Sequence, residues 1–161
     1  MNTIPLEFHF TPKSLALLEA LRNIEFPLAL AEPAAASAPP RIGDRYQGGI
    51  YAGLSRGEKG EPDAHIILLD DVPADKLNWK DAIKWAEGLG DDARLPTRFE
   101  SALLYANLHE QFVTDDWHWT LTQYSADNAW VQRFISGSQI SDLKSLTGRA
   151  RAVRRLISLT L

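Results

Sequence analysis

Asn78-Trp79-Lys80-Asp81-Ala82-Ile83-Lys84-Trp85-Ala86 and, after a short break, Leu95-Pro96-Thr97-Arg98-Phe99-Glu100-Ser101-Ala102-Leu103-Leu104 decide the class of this chain. In the first run Asn78 and Asp81 make a capping pair. Trp79, Ala82, Ile83, Ala86 and Leu89 then keep helical spacing until Gly88 and Gly90 stop it. In the second run Thr97 and Glu100 form a capping box, and Leu103, Leu104, Ala106 and Leu108 continue the apolar stripe. Two amphipathic helices are predicted.

Working outward, the flanking texture is that of strands. Gly48 to Leu54 and His65 to Leu69 precede the helices, joined by the turn-rich stretch Arg56 to Asp63. Trp117 to Gln123, Asn128 to Ile135, Gln139 to Ser145 and Arg149 to Leu159 follow, rich in Trp, Thr, Tyr, Val and Phe. Their connections are short and turn-forming, so consecutive strands are expected to pair antiparallel. Strands, two helices, then strands give an α+β domain, here assigned to residues 41–161.

Ahead of it, Ile4, Leu6, Phe8 and Phe10 alternate with polar residues as in a half-buried strand, and Thr11-Pro12 opens a helix carrying Leu15, Leu18 and Leu21. Residues 1–26 thus read as a strand-helix segment whose apolar faces need burial, which points to a homo-oligomer, dimer or trimer. Residues 27–40, with Ala34-Ala35-Ala36-Ser37-Ala38-Pro39-Pro40, read as a semi-rigid linker.

Composition bounds the function. The chain has 161 residues, 45 % hydrophobic and 24 % charged, which suits one ordinary domain plus an appendage and excludes wholesale disorder. With 17 Lys+Arg against 21 Asp+Glu the net charge is -4, so nucleic acid is an unfavoured partner and any partner must be recognised locally. Zero cysteines exclude disulfides, thiolate metal sites and cysteine nucleophiles. No basic n-region and no run of about 18 apolar residues is present, so neither a signal peptide nor membrane insertion is expected.

Catalytic and metal motifs are thin. His9, His65, His109 and His118 fall on separate elements without paired-ligand spacing, so no zinc site is assigned. Asp115, Asp116 and His118 read as a solvated loop, because no partner constellation accompanies them. Glu61-Pro62-Asp63 has the letters of a calcium-lectin sugar tripeptide but stands in the first hairpin, and it reads as a turn. No metal, cofactor or catalytic residue is assigned, and the chain is taken as a non-enzyme.

Two surfaces remain. Aromatics interleaved with Ser, Thr, Asn and Gln on the late strands are recognition chemistry. The candidate ligand-binding residues are Trp117, Trp119, Thr122, Tyr124, Asp127, Asn128, Trp130, Gln132, Ser138 and Gln139, of which alternation should send about half to the core. The basic C-terminal run supplies a second candidate, for an anion or a nucleic acid, at Lys144, Arg149 and Arg151. Its alternative reading is that these arginines pair internally and anchor the last strand.

Gly48-Gly49-Ile50-Tyr51-Ala52-Gly53, Trp79-Lys80-Asp81-Ala82 with Trp85-Ala86, Leu95-Pro96-Thr97-Arg98 with Glu100, Trp117-His118-Trp119-Thr120 and Gly148-Arg149-Ala150-Arg151-Ala152-Val153-Arg154-Arg155 together resemble a phage and prophage domain of unknown function. That family is similar to the C-terminal domain of bacterial collagen-like adhesins, and the match spans about Ile42 to Leu156. The resemblance implies a C-type-lectin-like fold, with two helices packed on a small twisted antiparallel sheet and a loop-rich face carrying the ligand site. Its calcium-lectin branch depends on disulfides and its formylglycine-generating branch on cysteine-bound copper. With no cysteine here, a metal-independent binding module is what the resemblance leaves. The expected ligand is a glycan or cell-surface receptor, with a host intracellular protein as alternative, and the expected location is the host cytoplasm or the phage particle.

Overall fold

A computed structural model describes residues 40–157 of the chain. The strand-helix segment expected over residues 1–26 and nearly all of the expected linker over 27–40 lie outside the described residues. The order of elements is β1 (Arg45–Tyr46), β2 (Gly49–Ser55), β3 (Ala64–Leu69), α1 (Trp79–Glu87), α2 (Arg98–Leu108), a 3-10 turn (His109–Gln111), β4 (Trp117–Gln123), β5 (Asn128–Arg133), β6 (Gln139–Leu143) and β7 (Val153–Leu156). The domain is α+β, with two helices and antiparallel sheets.

Both helices begin where their caps dictate. The Asn78 side chain accepts from the Asp81 N–H at 3.0 Å. At α2 the box is reciprocal, the Thr97 hydroxyl accepting from Glu100 N–H and the Glu100 carboxylate from Thr97 N–H. Each cap satisfies donors that a helix start leaves open.

The strands do not form the single expected sheet. They make two, one ordered β1-β2-β3-β7 and one ordered β4-β5-β6. The expectation that consecutive late strands pair holds for β4-β5 and β5-β6 but fails for the last strand, which pairs with β3. The reason lies in β3: Ile66, Ile67 and Leu68 are all fully buried, and a strand buried on both faces does not belong at a sheet edge. The chain is also drawn from β6 before a hairpin can close, because Gly148 and Leu77 exchange both backbone hydrogen bonds at 2.9 Å. Residues 149–152, read from sequence as strand, instead stitch the sheets together: Arg149 bonds the backbone of Trp117 and Trp119, and the Ala152 carbonyl accepts from Leu69 N–H.

Alternation along β3 divides the core. Ile67 and Leu69 join Ala82, Ala86, Leu95, Trp119, Ala129 and Val131 on the α1 side, whereas Ile66 and Leu68 join Ile50, Leu104, Leu108, Phe112, Phe134 and Val153 on the α2 side. The first sheet is therefore covered on both faces.

Candidate ligand-binding site

The site begins with an irregularity. Register is lost between Trp119 and Gln123 of β4, freeing the polar groups of Thr120, Leu121 and Thr122 from the ladder. Each finds a partner that holds a helix. Trp79 Nε1 of α1 donates to Thr120 O at 2.8 Å, Leu121 N–H donates to Pro96 O at 2.8 Å, and Arg98 N–H at the start of α2 donates to the Thr122 hydroxyl at 2.9 Å. The Thr120 hydroxyl, itself fully buried, donates to Trp130 O at 2.8 Å.

This arrangement lays Arg98 over β5. Its guanidinium carbon lies 3.7 Å from the Trp130 ring centroid, a stacked cation-π contact. Arg98 Nε donates to Gln139 Oε1 at 2.7 Å; the Gln139 amide in turn donates to Arg98 O and Gln132 Oε1. Tyr124, 60 % exposed, stands edge-on to Trp130 with centroids 5.3 Å apart and planes at 88°. Ser141 is the cross-strand partner of Trp130 and shares its face. The result is a platform in which the exposed Tyr124 ring stands against a Trp130 whose face carries a fixed guanidinium. A cleft of about 350 Å³ adjoins it, lined by Arg56, Glu58, Lys59, Glu61, Thr97, Glu100, Leu121, Thr122, Gln123 and Arg155.

Of the ten candidates read from sequence, Thr122, Tyr124, Trp130, Gln132 and Gln139 come together here. Gln132 is fully buried and acts from beneath, as the acceptor that orients Gln139. Asp127 and Asn128 form the turn beside Tyr124, where Asn128 O accepts from both Tyr124 and Ser125 N–H. Trp119 is not a contact residue: it is 1 % exposed, and its indole N–H donates to Leu77 O. Trp117 packs edge-on against it, 4.6 Å away, on the opposite face of the sheet from Trp130. Ser138 sits in the β5–β6 hairpin at the far end of the strands, bonded to the Ser136 hydroxyl.

The basic run is spent inside the fold. Arg149 makes a two-pronged pair with Asp115, Arg151 donates to Gln111 O and Leu69 O, and Lys144 donates to the carbonyls of Ser125 and Ala126. Arg154 binds Gln47 O and Asp91, and Arg155 binds Glu61 and Pro62 O. The Arg155 hydrogen bond and charge hold the Glu61 carboxyl below the usual range. Asp63 Oδ1 accepts from Gly57 N–H, so Glu61-Pro62-Asp63 closes a loop. Burial works against ionisation of Asp116, but hydrogen bonds from Lys76 and Trp117 N–H and the charges of Lys76 and Arg149 outweigh it, and its carboxyl is lowered. Among the described residues no group of three or more His, Asp or Glu is placed to hold a metal ion.

Arg98 is the residue that reading the strands missed. A signal existed: a cation in the first turn of a helix opposes the helix dipole, so helix formation gives no reason for it. No family model and no curated protein matches the chain.

Proposed function

We propose that the chain is a non-enzymatic, metal-independent binding module that recognises a glycan or glycan-bearing receptor through the Tyr124–Trp130–Arg98 platform. The observation that carries this reading is the exposed Tyr124 ring set edge-on to a Trp130 whose neighbours are a stacked guanidinium and a bonded amide. A large aromatic held in place and ringed by hydrogen-bonding groups is what an apolar sugar face with equatorial hydroxyls requires. The reading as a binder and not a catalyst is supported by the carboxylates near the cleft: Glu100 is bound by Arg94 and Glu61 by Arg155. The α+β architecture is compatible with a C-type-lectin-like domain, and with the resemblance noted above it supports a phage or prophage origin.

Glycan-array binding of the intact chain, followed by titration of any hit, tests the reading. Tyr124→Ala should weaken binding by about 2 kcal/mol, roughly thirtyfold, without lowering the melting temperature, because the ring is mostly in solvent. If Tyr124→Ala and Asn128→Ala leave binding unchanged while Arg149→Ala abolishes it, the platform is not the site and the basic segment is.

A further inference from the structure

We infer that the saccharide taken by this platform is acidic, with a carboxylate or sulfate group seated on the Arg98 guanidinium; the inference rests on the platform reading above. Arg98 Nε is held by Gln139 and the guanidinium plane lies on Trp130, so the group is fixed in orientation. Among the described residues its two η nitrogens have no hydrogen-bond partner and no carboxylate lies within 4.0 Å of it. A guanidinium fixed before binding, with its outer N–H groups open, matches a planar or tetrahedral oxyanion and gives up little side-chain freedom on binding.

The charges around it lean the same way. In the adjoining cleft Glu100 is bound by Arg94 and Glu61 by Arg155, which removes two carboxylates from play. Arg56 and Lys59 form no ion pair among the described residues, leaving Glu58 as the one cleft carboxylate without a cation partner there. Arg98, Arg56 and Lys59 therefore outnumber it, in a chain whose net charge is -4. Arg149, Arg154 and Arg155, by contrast, are each matched with a carboxylate. Beside the platform, Arg98 thus presents its outer N–H groups with no carboxylate of the described residues to neutralise them.

Isothermal titration of the full chain with three oligosaccharides of equal length decides the matter: a neutral galactose oligomer, a galacturonate oligomer and a sulfated galactose oligomer. The expected result is about tenfold tighter binding of one or both acidic oligomers than of the neutral one, a preference that shrinks as salt is raised. Tighter galacturonate assigns a carboxylate ligand and tighter sulfated oligomer a sulfate ligand. Arg98→Gln should erase the preference. Because that change also uncovers Trp130, the exposed pair Arg56→Gln/Lys59→Gln gives an independent reading and should reduce the preference without altering the melting temperature. Equal affinity for the neutral and acidic oligomers, with Tyr124→Ala still weakening binding roughly thirtyfold, overturns the acidic ligand and leaves the platform standing. Binding that is unaffected by Tyr124→Ala overturns the platform itself, and no binding of either acidic oligomer at millimolar concentration overturns the inference.

Discussion

Lowering the pH from about 7 to about 5 should remove about 2 kcal/mol of folding stability through one side chain, His118. The imidazole is 4 % exposed, edge-on to Phe112 at 5.3 Å and to Phe134 at 5.0 Å, and its Nδ1 has no hydrogen-bond partner. Burial, then the charges of Arg151 and Arg149, push its pKa down from 6.5 to about 3, against a smaller pull from Asp116 and Asp115 in the other direction. Because the folded value lies below the unfolded one, the unfolded chain binds the proton first. The contribution is whole above about pH 6.5 and is lost as the pH falls toward about 3. At about 1.4 kcal/mol per unit, the loss reaches about 2 kcal/mol at pH 5 and about 3 kcal/mol at pH 4. Urea unfolding followed by tryptophan fluorescence measures it, with His118→Gln as the comparison because a glutamine does not titrate. Between about pH 7 and about pH 5 most carboxylates stay ionised, so the wild-type slope should exceed the variant's by nearly the whole amount. Equal slopes for the two proteins would refute the reasoning.

Glu100→Gln should lower stability by about 2 kcal/mol in the same unfolding assay, since it takes the carboxylate from the half-buried Arg94 and weakens the α2 capping box. Gly148→Ala should cost about 1–3 kcal/mol, because a Cβ there would be driven into the Trp117 ring; an unchanged melting temperature would show that the ring moves aside freely. The apolar stripe Leu15, Leu18 and Leu21 predicts a homo-oligomer, and light scattering on the full chain giving a monomer mass would rule that out.

The helices were legible because their causes are local: a cap three residues from its partner and an apolar stripe are both written within one turn. The hairpins of β4, β5 and β6 were legible for the same reason. Strand β7 was legible as a strand but its pairing was not, because its partner β3 was chosen by burial on two faces, a property of the assembled core. Trp119 and Trp130 illustrate the same limit within the site. Both are tryptophans on neighbouring strands amid polar residues, and Trp119 lies opposite Val131, so Trp130 faces the other side of the sheet. Only the assembled packing decides that the first side meets Leu77 in the core and that the groups freed by the β4 bulge hold Arg98 on the second. A bulge of this kind leaves no residue signature that alternation alone can read.

That bulge also ties the site to stability. Arg98 joins the Thr122 hydroxyl, the Trp130 ring and the Gln139 amide, and these same bonds fix the first turn of α2, whose Leu104 and Leu108 fill the second core cluster. A ligand that engages Arg98 and Tyr124 meets groups held by the folded core, and an unfolded chain has no such assembly to offer. Its binding free energy is therefore added to folding: about 2.7 kcal/mol at a ligand concentration one hundred times Kd. The coupling also runs in reverse. Changes that loosen the start of α2, such as Glu100→Gln, should weaken binding without touching the platform, since Arg98 lies inside the capping box, next to Thr97, that Glu100 closes.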